Sequence, residues 1–368
     1  MGRSIYGKHQ LVFARRLNSS FIDQRLLNKK ERPHTMAILS NMPPQNELRA
    51  TPTAMYKNLL TAAVVLLFVL SVVAVSRVTQ AAEGASSHYL PGANIDIFLA
   101  LPPEPGFLVA NTFWYQSGNV GEAVLEGQVE LNLDLNTFLN LTALTYTFEQ
   151  PILGGRYTVG ALIPFGNVDL DSTIIGPRGG QFRTSESSFD LSDIALIPFQ
   201  LNWASGPWSF KVSEVIVAPS GGYSLSENVN LGRNYWSFDT IAAVTWFDPE
   251  KGTEVSLQPG LMINTENSDT DYQTGKEFHL DLTLNQFLSP GFAVGIRGYW
   301  YQQISGDSGA GALLGDYKGE SLSAGPGFVW IPKFGAGQLT VLGKWLHDFS
   351  ATNRFESDYL TLTASWNF

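Results

Sequence analysis

Tyr359-Leu360-Thr361-Leu362-Thr363-Ala364-Ser365-Trp366-Asn367-Phe368 closes the chain, and it alternates with a period of two. Leu360, Leu362, Ala364, Trp366 and Phe368 share one parity; Tyr359, Thr361, Thr363, Ser365 and Asn367 share the other. That period is a β-strand whose two faces meet different surroundings. A last strand that ends on an aromatic residue fits the closing strand of a bacterial outer-membrane barrel. A sandwich strand also alternates, so the weight of this reading rests on the rest of the chain.

The same period recurs upstream. Phe278, Leu280, Leu282 and Leu284 oppose Glu277, His279, Asp281 and Thr283; Leu339, Val341, Gly343 and Trp345 oppose Thr340 and Lys344. Segments of about ten residues match the length of a tilted membrane-spanning strand. Strands are expected at about 105–117, 123–135, 154–166, 188–203, 207–218, 237–247, 254–264, 276–286, 291–303, 320–332, 337–348 and 355–368. Short turns such as Ala204-Ser205-Gly206-Pro207, Ser289-Pro290-Gly291 and Pro332-Lys333-Phe334-Gly335 alternate with longer polar loops near 167–187, 219–236, 265–275 and 304–319. Short turns on one side and long loops on the other are the habit of outer-membrane barrels. The expected fold class is all-β: a transmembrane antiparallel β-barrel of about 12 strands, with 14 as the alternative count. The stretch from Phe138 to Gln150 is the place where an extra pair would hide, and Pro259 and Pro326 should mark bulges or strand ends.

Upstream of the barrel, Met55-Tyr56-Lys57 precede an apolar run from Leu59 to Val75, then a short polar stretch and Ala81-Ala82. A charged start, an apolar run and small residues at a cut site form a secretory signal. Residues 1–54 read as a mis-assigned start or a disordered leader, 55–82 as the signal peptide, 83–104 as a periplasmic segment and 105–368 as the barrel.

Residues 1–82 hold 11 of the 23 Lys and Arg and 3 of the 33 Asp and Glu. The remainder therefore carries 12 basic and 30 acidic residues, about −18 in formal charge. That balance excludes nucleic acid as a partner, because such binding is driven by cationic side chains. Zero cysteines exclude a disulfide framework and thiol catalysis. The expected partners are outer-membrane lipid and lipopolysaccharide, the barrel-assembly machinery through the C-terminal strand, and an unidentified small-molecule solute. No cofactor is expected.

Arg156, Lys211, Glu277, His279, Asp281, Arg297 and Lys344 sit inside strands, opposite in parity to apolar neighbours. A cation on the lipid face at mid-bilayer costs ~2–4 kcal/mol, so these residues should line the bore. They would either set charge selectivity or brace a closed barrel through internal ion pairs. Trp114, Tyr115, Trp246, Tyr299, Trp300, Trp330, Trp345, Trp366 and Phe368 are expected as the interfacial aromatic girdle. Asn267, Asp269 and Asp271 are spaced like the first ligands of a calcium loop. Tyr272 stands where such a loop takes Gly and the later Glu is missing, so at most a weak loop cation site is expected. His347-Asp348-Phe349-Ser350 has the residue types of a hydrolase without any surrounding motif, and no Gly-x-Ser-x-Gly occurs.

Several stretches carry a family resemblance. They are Tyr89-Leu90-Pro91-Gly92, Leu153-Gly154-Gly155-Arg156-Tyr157, Asp193-Ile194-Ala195-Leu196-Ile197-Pro198 with Trp203 following, and Ala218-Pro219-Ser220-Gly221-Gly222-Tyr223. Further on come Asn230-Leu231-Gly232-Arg233-Asn234-Tyr235-Trp236, Asp269-Thr270-Asp271-Tyr272-Gln273-Thr274-Gly275, Gly298-Tyr299-Trp300-Tyr301-Gln302-Gln303 and Gly325-Pro326-Gly327. The chain resembles the meta-pathway phenol-degradation family of outer-membrane proteins. The resemblance implies an outer-membrane barrel of transporter type, in some members linked to aromatic catabolism, and brings no catalytic residues. The expected function is a channel or transporter for small molecules, with aromatic or hydrophobic compounds as the preferred class. The alternatives are a closed structural or adhesive barrel with ion-binding acidic loops and, as a minor one, a membrane lipid hydrolase.

Overall fold

A computed structural model of the chain describes residues 83–125, 128–175, 181–227, 229–315, 318–332 and 338–368. The leader, the signal segment, the glycine-rich stretch 176–180 and residues 333–335 of one expected turn lie outside the described residues. Thirteen strands follow one another: β1 (Gly106–Leu125), β2 (Gln128–Thr147), β3 (Arg156–Ile175), β4 (Gln181–Leu191), β5 (Ile194–Ser205), β6 (Trp208–Ala218), β7 (Ser237–Asp248), β8 (Thr253–Asn264), β9 (Glu277–Ser289), β10 (Phe292–Gln303), β11 (Glu320–Trp330), β12 (Gln338–Thr352) and β13 (Glu356–Asn367).

All neighbours pair antiparallel, and β1 pairs with both β2 and β13, so the sheet closes on itself. The strands β4 and β5 share one position: β4 runs along Phe165–Ile175 of β3, and β5 runs along Arg156–Leu162. The barrel therefore has twelve staves. Closure leaves no sheet edge facing lipid, which a spanning sheet requires.

The terminal alternation resolves as expected. Leu360 and Leu362 are exposed on the lipid face, while Tyr359, Thr361, Thr363 and Ser365 are buried on the bore side. Pro259 lies where the β7–β8 pairing lapses between Ile241↔Gly260 and Val244↔Leu257. Pro326 lies where the β11–β12 pairing lapses between Ala324↔His347 and Gly327↔Lys344. A residue without an N–H interrupts its ladder on one side only.

The first three strands differ from expectation. Each is 20 residues long, about twice what a membrane crossing needs. The stretch read as the loop 167–187 mostly continues as paired strand, from Phe165↔Leu191 to Ile175↔Gln181. Residues 138–147 hide no extra pair; they are the inner half of β2, which begins at Gln128 and pairs with β1 throughout. The outer halves of β1 to β4 thus form a ribbon that stands beyond the membrane on the side of the long loops. Outside the lipid, its outer face carries Asp134 and Asp169, while Leu133, Leu135, Val168 and Leu170 turn inward.

Residues 83–104, expected as a periplasmic segment, instead run through the bore. At the long-loop end the Glu83 carboxylate accepts hydrogen bonds from Thr270 Oγ1 (2.9 Å) and Asn267 Nδ2 (3.3 Å). Towards the short-turn end the Ala100 amide donates to Thr245 Oγ1 (3.0 Å), and Asn202 donates to the Ala100 carbonyl (3.1 Å). The segment then leaves the bore and enters β1.

Candidate functional site

The bore has two unlike walls with the threaded segment between them. On β7 to β13 most of the charged inward positions gather: Asp239, Glu254, Glu277, His279, Asp281, Arg297, Lys344 and Asp348 are all buried, with Gln258 among them, beside apolar Met262, Ala293, Val329 and Leu346. On β1 to β3 the inward positions are mostly apolar: Trp114, Leu133, Leu135, Leu139, Leu141, Val168 and Leu170 are buried on the same inner side, with Thr112 and Thr137 among them.

The segment is fixed to the polar wall by named contacts. Leu90-Pro91-Gly92-Ala93 is a turn closed by the Ala93 amide donating to the Leu90 carbonyl (3.1 Å). Gly92 takes φ +74, and a Cβ there would stand 3.2 Å from Leu346 of β12, so glycine meets both the backbone and the space requirement. Tyr89 donates to Asp281 (2.8 Å) and stacks on His279 at 4.3 Å. Lys344 pairs with Asp96 and donates to the Asn94 carbonyl (2.8 Å). Arg297 reaches the Asp96 carbonyl (3.3 Å), and Glu254 accepts the Phe98 amide (2.6 Å).

Of the seven strand residues expected on the bore, six gather here. His279 lies with Nε2 at 3.1 Å from Asp239 and Nδ1 at 3.4 Å from Asp281, and Lys211 donates to Gln258 (2.5 Å). Glu277 is fully buried beside them. Arg156 stands apart at the inner end of β3, half-buried, donating to the Glu149 carbonyl (2.6 Å). Sequence reading did not find the partners Asp96, Asp239 and Glu254. Asp239 and Glu254 were visible as acids on the inward parity of their strands. Asp96 lies in a segment without periodicity.

The girdle needs two corrections. Trp114 and Tyr299 are buried in the bore, with Trp114 Nε1 donating to the Pro91 carbonyl (2.8 Å) and Tyr299 donating to Asp348 (2.5 Å). A period of two cannot place Trp114 and Tyr115, or Tyr299 and Trp300, on one face. Tyr115, Trp246, Trp300, Trp330, Trp345, Trp366 and Phe368 have the outward parity, and Trp208 and Phe292 join them at the short-turn end. The expected cation site does not assemble. Asn267 is buried and engaged with Glu83, Tyr223 and Asn234, whereas Asp269 and Asp271 point to solvent. Among the described residues no cluster of metal-ligating side chains occurs. His347 and Asp348, adjacent on β12, face opposite sides: His347 meets Asp358 outside (3.1 Å), and Asp348 meets Tyr299 inside.

At the junction of β4 and β5 the chain breaks stride opposite Pro164, whose carbonyl accepts the Ser192 amide (2.9 Å). Asp193 turns inward there and gathers His88 (2.9 Å) and the amides of Ser220, Gly221 and Arg233 (2.9, 2.8 and 2.7 Å). It thereby pins the loop 219–236 over the outer mouth. Burial pulls the Asp193 pKa up, but these hydrogen bonds outweigh it and hold the carboxyl below its usual range. Burial holds the His88 pKa below its ordinary value, against the hydrogen bond to Asp193.

Between the threaded segment and the apolar wall lies a cavity of about 180 Å³. Trp114, Leu135, Leu139, Leu162, Val168 and Leu170 form its apolar side; Val229 and Leu231 of the loop roof it. Arg354, from the short turn between β12 and β13, and Arg233 reach it from the polar side.

The profile of the family described as "Putative MetA-pathway of phenol degradation" matches residues 115–364. Among solved structures, an outer membrane channel from Pseudomonas putida F1 is similar in fold, with a TM-score of 0.59 and 18% identity over 75% of this chain and 100% of that one. More distant matches are the β domain of the Bordetella autotransporter BrkA (TM-score 0.41, 10% identity, 72% of this chain and 100% of that one) and a FadL homologue of Pseudomonas aeruginosa (TM-score 0.36, 7% identity, 72% and 90%). No curated protein sequence matches the chain.

Proposed function

The chain belongs to the family of the MetA-pathway of phenol degradation, and from that premise we propose that it is an outer-membrane β-barrel channel for small hydrophobic or aromatic compounds. The observation that carries this reading is the cavity beside the threaded segment, walled on one side by inward-facing leucines. A barrel that only needed to hold water would turn polar residues into its bore on every strand. One that only needed to fill itself would leave no room between segment and wall. An apolar site with a few polar groups is instead what a small organic solute requires.

Residues 83–104 act in this reading as a resident plug, and the inward charges of β7 to β13 act as its anchors more than as an ion path. The seven outward aromatics would set the barrel's depth in lipid. Cleavage next to Ala82 accompanies the proposal, because Glu83 is buried in the bore near the long loops. N-terminal sequencing of protein extracted from outer membranes should begin at residue 82 or 83. No catalytic group is assigned. Liposomes carrying the protein should take up toluene-sized solutes faster than empty ones. Uptake equal to that of empty liposomes would favour the second reading, a closed structural barrel, which the many plug contacts also suit.

A further inference from the structure

The polar side of the cavity holds a donor without an acceptor. Arg354 is 6% exposed, lines the cavity, and its Nη1 has no hydrogen-bond partner. Its guanidinium lies 3.7 Å above the ring of Tyr301, which orients the plane without satisfying Nη1. Next to it the Tyr301 hydroxyl and Ser321 Oγ, on paired positions of β10 and β11, are also buried without partners. Buried polar groups are nearly always paired, and an unpaired one beside a cavity marks where a ligand or water binds.

The two acids in the cavity lining are already engaged, and the buried Glu277, outside the lining, supplies charge to Arg354 without a hydrogen bond to it. Asp193 accepts from His88 and three backbone amides, and Glu83 accepts from Asn267 and Thr270. Arg233 spends one terminal nitrogen on Ser86 Oγ (2.6 Å). The remaining need is for an acceptor on Arg354 Nη1, and a carboxylate meets a guanidinium N–H with a charge-assisted hydrogen bond.

The opposite side sets the rest of the ligand. The side chains of Trp114, Leu135, Leu139 and Leu170 offer only apolar surface, apart from an indole N–H spent on Pro91. A cavity of about 150 Å³ holds a benzene molecule, so the space here takes one ring with a short tail.

We propose that this cavity binds amphiphilic monocarboxylates of one-ring size, the ring against the β1–β3 leucines and the carboxylate on Arg354. This rests on the channel reading and names the solute class that pauses in the bore. It also runs against the acidic balance of residues 83–368, which would by itself disfavour anions.

The test uses the full mature chain in nanodiscs and isothermal titration with 4-phenylbutyrate, 4-phenylbutanol and 4-phenylbutylammonium. The acid should bind saturably and at least about tenfold more tightly than the alcohol, the size of one charge-assisted hydrogen bond. The ammonium compound should not bind. Arg354→Gln should erase the preference for the acid, Arg354→Lys should restore part of it, and Leu139→Asn should weaken acid and alcohol alike. A heat-modifiable gel shift identifies the variants that fold. Equal binding of acid and alcohol, or an unchanged preference in folded Arg354→Gln, would overturn the proposal. Acid binding by a barrel that passes no solute would keep the site and remove the channel; passage without acid preference would do the reverse.

Discussion

Asp307 and Asp96 are two buried acids with opposite consequences. Asp307, in the outer loop between β10 and β11, accepts from Tyr272 (2.5 Å), the Gly275 amide (2.9 Å) and Gln303. Burial pushes its pKa up to about 7 in spite of those donors. A carboxyl whose folded pKa lies above its unfolded value, about 3.9, binds its proton more tightly in the folded loop. The loop contact is therefore strongest below about pH 4, weakens as the pH rises from there to about 7, and is constant above. Asp307→Asn should make amide-exchange protection around Gly275 and Gln303 independent of pH in that window; protection that rises with pH in the unaltered protein would contradict the assignment. Asp96 is instead the counter-charge of Lys344. Removing one partner of a buried pair costs ~3–5 kcal/mol, because the other charge is left alone. Asp96→Ala should loosen the plug by at least about a hundredfold in protease accessibility at residues 88–98, and Asp96→Ala with Lys344→Met should recover much of that loss. A single substitution no worse than the double would show that the pair does not hold the plug.

At the scale of elements, legibility follows the solvent on the outer face. From β6 to β13 the outer face meets lipid for most of each strand, and the expected bounds fall close to the observed ones: 237–247 against Ser237–Asp248, 254–264 against Thr253–Asn264, 291–303 against Phe292–Gln303. On β2 the same alternation has the opposite meaning. Leu133, Leu135, Leu139 and Leu141 look lipid-facing by composition, yet they face the bore, because much of this strand stands in water and its outer face is polar. Asn111, Asn140 and Thr142 on the outward parity of β1 and β2 satisfy one another (2.8 and 2.9 Å), which removes the usual penalty for polar atoms there. The plug gave no periodic signal. Most of its partners lie more than a hundred residues away, and Tyr89-Leu90-Pro91-Gly92 announces only a turn. The outer ribbon makes its own prediction. Leu135→Asp should put a charge on the apolar side of the cavity and lower acid binding while the gel shift of the folded barrel stays intact. Loss of the shift would mean that the ribbon is part of the folding core.

At the scale of the molecule, the barrel, the plug and the apolar wall form one arrangement. The closed sheet satisfies every strand's backbone in lipid, the polar wall holds residues 83–104, and the apolar wall is left one ring's width away. The fold class, twelve staves and the inward set of charges were legible because lipid imposes a period of two. The site was not, because it depends on which wall the threaded segment prefers, and that is decided by contacts between distant residues. In the proposed reading residues 83–104 are the resident obstruction of a solute channel. Single-channel conductance in planar bilayers, comparing the mature chain with one starting at residue 103, tests it directly. The mature chain should give small, flickering steps that 4-phenylbutyrate blocks, and the shortened chain should give larger, steady steps that it no longer blocks. Equal conductance from the two folded barrels, or none from either, would contradict the account.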